Sequence, residues 1–158
     1  MNKKLGKTLK AIIVILGVLG LGVYGFVIPL TLNAFVETYS EFSYFYMPWL
    51  IVLIITAVPL YVILGLGIIV SNEISRGNTF IVKNVKCLKG VALCLVVEAL
   101  YFFIGNIILW LNTLNFLGVV IASTALCVFI VCIAAAVNIL AELIKKAVEM
   151  REENESYI

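Results

Sequence analysis

Four apolar blocks, at 11–32, 49–70, 91–111 and 117–139, dominate the chain. Each approaches the roughly 20 residues that a helix needs to cross a hydrocarbon layer about 30 Å thick. Inside such a layer every backbone N–H and C=O must be paired within the protein, which leaves helices or a closed barrel. Barrel strands alternate in polarity and these blocks do not, so helices are expected. With 64% apolar and 13% charged residues in a chain of 158, a soluble fold has no means of hiding so much apolar surface. The expectation is an all-α membrane protein, a four-transmembrane-helix bundle spanning 1–158 as one domain. Lys3, Lys4, Lys7 and Lys10 precede the first block as they would in a signal peptide. Its apolar run is too long for one and no A-x-A-like site follows, so a retained helix is expected.

All 11 basic residues fall at one end of these helices. Beyond the four lysines at the start, Arg76, Lys83, Lys86 and Lys89 lie in the middle connection, 71–89, and Lys145, Lys146 and Arg151 in the tail, 140–158. Lys and Arg in short loops mark the cytoplasmic side, so both termini and the middle loop are expected in the cytoplasm of a bacterium, with the helices in its plasma membrane. The outer connections are then a loop at 33–48, carrying Glu37 and Glu41, and a tight turn at 112–116. Phe35, Tyr39, Phe42, Tyr44, Phe45, Tyr46 and Trp49 crowd the first of them. Such rings favour the headgroup layer, and with two carboxylates they also suit a cationic or amphipathic peptide.

Inside the apolar blocks the polar residues carry the information. Glu98 lies about 12 Å into the third helix at 1.5 Å per residue. A charge there costs about 2.5 to 3.5 kcal/mol even on lenient insertion scales, so Glu98 is expected to face protein. Cys87, Gly90, Cys94, Glu98, Tyr101 and Gly105 recur at helical spacing and trace one face where small residues permit close packing. Matching depth along antiparallel neighbours brings Tyr61 and Cys132 to the level of Glu98, with Tyr61 the expected hydrogen-bond partner. Pro59 frees the carbonyl of Ile55. A second polar layer is expected to join Asn106, Thr56, Ser123 and Tyr24. Interhelical hydrogen bonding accounts for both layers; a proton or solute path is the sharper alternative, weakened by the absence of any intramembrane Lys, Arg or His.

No set of residues has the pattern of an enzyme. There are 4 Cys and 0 His; no C-x-x-C occurs, and a Ser-His-Asp or Cys-His nucleophile is excluded. Gly17, Gly20, Gly22 and Gly25 lie in apolar helix with no GK[ST] behind them, so close helix contact rather than phosphate binding is expected of them. No cofactor, metal site or direct nucleic-acid contact is expected. The lipid bilayer is a partner, and a homo-oligomer is compatible with the pattern.

In the middle connection Asn78 or Thr79 suits the cap of a helix entering the membrane, and Lys83, Lys86 and Lys89 form a basic stripe that favours anionic headgroups. The tail reads as a helix with Leu140, Leu143, Ile144, Ala147 and Val148 on one face and i, i+4 pairs Glu142–Lys146 and Lys145–Glu149. It ends acidic, at Glu149, Glu152, Glu153 and Glu155. Opposite charge should bring these beside Arg76 or the lysines, making one cytoplasmic surface of Arg76, Lys83, Lys86, Lys89, Glu149, Glu152 and Glu153 open to a partner. In the middle connection Gly77, Phe80, Asn84, Lys86, Leu88 and Lys89 follow a pattern of Gly-x-Pro-Phe, then Asn, then a basic-Leu-basic run. The tail carries Arg151-Glu152-Glu153-Asn154-Glu155 and a terminal Ile158. These segments resemble the bacterial membrane family catalogued as domain of unknown function 2975. Thr79 stands where that family has proline, Cys87 where a basic residue is common and Tyr157 where threonine is usual. The resemblance implies four helices, no catalytic residues and, from the genes that often adjoin members, a small cytoplasmic helix-turn-helix regulator as partner.

Two functions fit these expectations. The first is a non-enzymatic regulatory or scaffold protein that engages a cytoplasmic partner through loop and tail. The second is a small transporter-like or peptide-immunity protein working at the outer face.

Overall fold

The computed structural model describes residues 1–157; Ile158, the last residue of the tail motif, lies outside them. Among the described residues the chain is entirely helical, and 4 helical rods are long and apolar enough to cross a membrane: Asn2–Thr38, Ser40–Ser75, Val82–Leu111 and Leu117–Ser156. Each rod packs on the next in chain order. One end gathers every Lys and Arg and is called the basic end; the opposite end carries the aromatic residues of 33–49.

The first rod is α1 (Asn2–Gly22), a π-helical turn over Val23–Val27, and α2 (Ile28–Thr38). Its interruption has a covalent cause. Pro29 has no N–H for the carbonyl of Gly25 and its ring crowds that carbonyl, so the helix widens by one residue and Ile28 N–H bonds to Val23 O instead. The second rod breaks likewise. A short 3-10 segment (Ser40–Phe45) leads into α3 (Tyr46–Ile55), which ends at Thr56 before α4 (Ala57–Ser75). The break falls beside the Ile55 carbonyl that Pro59 leaves without its donor. The connection at 33–48 is therefore mostly helical, leaving helical geometry at Tyr39 (φ −124°, ψ 71°) and Phe42 (φ −105°, ψ 21°), rather than an open loop.

The other two rods are unbroken: α5 (Val82–Leu111) runs 30 residues and α6 (Leu117–Ser156) runs 40 residues. Their buried residues include Val85, Ala92, Ala99 and Asn106 on α5, and Val120, Cys127, Ala134, Ala141 and Val148 on α6. Both sets repeat every seven residues, the period that winds two helices into a left-handed coiled coil. Ala99, Ala134 and Ala141 are 2%, 2% and 0% exposed. Small residues at these positions let the two backbones approach closely, which in a membrane stands in for the missing hydrophobic drive between helices.

The α4 to α5 turn closes by local bonds. Gly77 takes φ +82°, and the N–H groups of Gly77 and Asn78 bond to Ile74 O and Glu73 O at 3.0 and 2.9 Å. This is the left-handed helix ending that glycine favours because it has no Cβ. Asn78 is thereby committed to ending α4, and α5 begins after Ile81 with no side-chain cap. The expected cap by Asn78 or Thr79 is not made; Asn84 Nδ2 instead donates to the carbonyls of both, at 2.9 Å each. At the opposite end, the turn at 112–116 closes in the same manner with Thr113 at φ 60°.

Candidate functional site

Two groups of polar residues stand out, one at the centre of the apolar rods and one at the basic end. At the centre, Tyr24 of the π turn hydrogen-bonds Thr56 at the break in the second rod, at 2.7 Å. The two interruptions therefore face and touch each other. Thr56 is buried and its Oγ1 donates back to Leu53 O, a carbonyl in the last turn of α3.

Glu98 lies on the α5 face that meets the second rod, where Tyr101 donates to Val52 O at 3.1 Å and Gly105 and Gly90 admit Val52 and Leu66. This is the face expected from Cys87, Gly90, Cys94, Glu98, Tyr101 and Gly105. Tyr24, Tyr101 and Cys127 all sit within electrostatic reach of Glu98. Glu98 Oε2 is enclosed without a hydrogen-bond partner among the described residues. Tyr61 is not its partner: the Tyr61 hydroxyl donates to Gly17 O on α1 at 2.7 Å, because Gly20 leaves the room that seats the ring against α1. Cys132 is exposed, and the thiol near Glu98 is Cys127, one residue of the seven-residue seam.

The expected second polar layer is split in two. Tyr24 and Thr56 form one pair, while Asn106 Oδ1 accepts from Ser123 at 3.1 Å and from Asn115 at 3.0 Å. Asn106 is 1% exposed. It locks α5 to the start of α6 and to the outer turn, which Trp49 also grips by donating to Leu114 O at 2.8 Å. Of the glycines, Gly17 and Gly20 do admit α4 side chains, whereas nothing lies within 4 Å of a Cβ added at Gly22 or Gly25. A contact that hydropathy did not reveal is Gly6, where an added Cβ would lie 2.6 Å from Ser71 O and Ser75 N.

The basic end is organised by Glu73, a residue that sequence reasoning passed over. It is 6% exposed and receives Lys83 at 2.8 Å, Arg76 at 3.4 Å and the Asn78 amide at 3.2 Å. The hydrogen bonds from Lys83 and Asn78 hold its carboxyl below the usual carboxylate range. Its signal in the sequence was a lone acid closing an apolar helix three residues before Arg76. Two cations of the expected partner surface, Arg76 and Lys83, are thus engaged by Glu73 rather than by the tail.

The tail continues α6 as a straight helix beside the start of α5. Val148 of the expected face is buried, but with it lies Ala141 in place of Leu140 and Leu143, which are 48% and 59% exposed; the seam from inside the membrane carries through and turns the buried face by about one residue from the expected one. Glu142 pairs with Lys89 across the helices at 2.7 Å, which draws it away from Lys146. The Lys145–Glu149 pair is not formed either, and the i, i+4 bridge in the tail among the described residues is Arg151–Glu155 at 3.4 Å. A groove of about 330 Å³ runs between the two helices, with Val82, Val85 and Val148 as its floor and Lys86, Lys89, Lys145, Glu149 and Glu152 around it. It brings Lys86, Lys89, Glu149 and Glu152 of the expected surface together; Arg76, Lys83 and Glu153 are not among its lining residues.

The aromatic end holds a cavity of about 340 Å³ whose lining includes Phe35, Val36, Phe45, Trp49, Asn115 and Phe116. Phe35, Phe42, Phe45 and Phe116 stack on one another at centroid distances of 5.1 to 6.3 Å. Tyr39 and Tyr44 remain half exposed. No group of three or more metal-ligating side chains occurs among the described residues.

Compared with known proteins, residues 30–158 match the family described as protein of unknown function (DUF2975). The chain is also 24% identical over 157 residues to an uncharacterised membrane protein, YoaS, of Bacillus subtilis (strain 168), with 98% of each chain covered. No solved structure matches it.

Proposed function

We propose that this chain, which belongs to the DUF2975 family of proteins of unknown function, is a non-enzymatic membrane anchor that presents a helical stalk to a cytoplasmic partner. The observation that carries this reading is the continuity of α6. Its apolar block ends at residue 139 while the helix continues to Ser156, about 25 Å further at 1.5 Å per residue. The same seven-residue seam holds it to α5 on both sides of that point, so a shift in the bundle is carried into the stalk as a rigid movement. The basic end is cytoplasmic in this reading, because every Lys and Arg gathers there, and the membrane is the plasma membrane of a bacterium. A groove with an apolar floor and charges of both signs suits an amphipathic helix of a soluble protein. The family's gene neighbourhoods favour a small helix-turn-helix regulator as that protein.

Recovery of the tagged protein from native membranes tests the reading. A stoichiometric soluble partner should co-purify with the full chain and be lost when 149–158 is deleted or when Val148→Glu spoils the floor of the groove. Equal recovery from all three would sink it. Impermeant maleimide applied to intact cells, on a cysteine-free background, should label a cysteine at Ser40 and spare one at Lys146.

A second reading rests on the aromatic cavity. Glu37 and Glu41 belong to the same segment, 33–48, as much of its aromatic lining, and no Lys or Arg lies in that segment, which supports a transporter-like or peptide-immunity role toward a cationic amphiphile. Protection of cells from such a compound, lost in Phe45→Ala with the stalk partner still bound, would favour it over the first.

A further inference from the structure

We infer that Glu98 is the binding site of an exchangeable monovalent cation, a proton or Na⁺, placed between the interrupted pair of rods and the α5–α6 pair. The argument begins with what surrounds the carboxyl. Its Oε2 is enclosed without a hydrogen-bond partner among the described residues; Tyr101 lies one turn along the same helix and hydrogen-bonds the second rod, and Tyr24 of the first rod and Cys127 of α6 are within electrostatic reach. No Lys or Arg lies between Lys10 and Arg76 or between Lys89 and Lys145, and the chain has no His. A charged Glu98 therefore has no internal counter-ion.

The hydroxyl protons nearby are already committed. Tyr101 donates to Val52 O and Tyr61 to Gly17 O. Thr56 donates to Leu53 O, so the bond it shares with Tyr24 is one in which Tyr24 donates. What these groups can still offer is oxygen lone pairs. Glu98 adds its own, including an enclosed Oε2 with no partner among the described residues. Apart from the weak S–H of Cys127, these groups are acceptors without free donors, an arrangement that repels an anion and favours a cation.

The location gives occupancy a mechanical consequence. Tyr24 belongs to the π turn and Thr56 to the break before Pro59, the two points where the regular backbone ladder is already interrupted. Such interruptions, where they line an interior site, are where membrane helices hold ions and bend. Binding or release at Glu98 changes the charge near the Tyr24 hydroxyl and, through its bond to Thr56, biases the angle of both rods without breaking an intact helix.

Dicyclohexylcarbodiimide, which partitions into membranes and modifies protonated carboxyls, tests the site on the full chain in lipid vesicles, with the mass of the peptide bearing Glu98 as readout. Modification at Glu98 is expected, its rate falling about tenfold per pH unit above the midpoint, and absent in Glu98→Gln. Slowing by Na⁺ but not by choline identifies Na⁺ as the bound cation; a rate that follows pH alone identifies the proton. No modification at any pH, or a rate indifferent to both pH and Na⁺, overturns the proposal. Glu98→Gln protein of unchanged thermal stability shows that the lost signal is lost chemistry and not lost fold.

Discussion

The α5–α6 pair and the first two rods are all apolar enough to cross a membrane yet built on opposite plans. In the first two rods only 6% of the most apolar stretch is buried by the protein, against 17% and 22% in α5 and α6. Prolines interrupt the former, and the contacts that hold them are single polar bonds and glycine gaps. An unbroken seam of small residues, repeated every seven, joins the latter. Hydropathy places a helix in a membrane but says nothing of how firmly it is held there; packing of small side chains decides that. The molecule thus combines a stiff pair that runs on into the stalk with a hinged pair laid against it, and the carboxyl of Glu98, with an enclosed oxygen that has no partner among the described residues, sits where the two meet.

The largest effect is expected from filling the seam. Ala141→Leu, at a position 0% exposed, should cost about 3 kcal/mol by overpacking, read as a drop in thermal midpoint in lipid-detergent mixtures. Gly65→Leu in the hinged pair, where nothing lies within 4 Å of the added Cβ, should leave the midpoint nearly unchanged. Equal losses would break the comparison.

Next comes Gly6→Ala, which sets a Cβ 2.6 Å from two backbone atoms of α4. Backbone cannot move aside as a side chain can, so about 2 kcal/mol is expected, with the start of α1 lifting from α4. Cysteine cross-linking between residues 10 and 72, whose side chains meet at 3.4 Å, should weaken accordingly while cross-linking along the α5–α6 seam stays constant.

A smaller effect belongs to Tyr24→Phe, which removes the bond between the two interruptions. Interhelical bonds in membranes average about 0.6 kcal/mol, so the thermal midpoint should barely move, yet the hinged pair should explore a wider range of angles.

The smallest concerns Glu73. Its carboxyl pKa lies below the unfolded value, so its contribution is fully present above the ordinary carboxylate range and is lost as pH falls through the folded value. Amide exchange around Gly77 to Asn84 should accelerate severalfold on acidification after correction for intrinsic rates. Glu73→Gln should be fast at neutral pH and indifferent to the change.

Much of this architecture was legible in the sequence. Four blocks of the right length, the gathering of cations and the carbonyl that Pro59 leaves without a donor all follow from chain length, charge and covalent geometry. The seam was hidden because Ala99, Ala134 and Ala141 lie in blocks where every neighbour is also apolar, so burial leaves no hydropathy contrast. The same blindness put the tail's buried face one residue out. The partner of Tyr61 depended on Gly20, a residue of another helix, and Glu73 on a turn that folds Lys83 back across ten residues. Depth counting could place Glu98 near the membrane centre; it could not tell that the hydroxyls around it were already engaged.

Spin-label distances along single rods test the division most directly. In lipid nanodiscs, with the native cysteines replaced, one pair of labels at Lys7 and Thr38 brackets the π turn and another at Leu117 and Lys146 brackets the membrane part of α6, both spanning about 45 Å at 1.5 Å per residue. The account predicts a broad distribution for the first pair that narrows in Pro29→Ala, and a narrow one for α6 that does not respond. Two distributions of equal width, unmoved by Pro29→Ala, would contradict it.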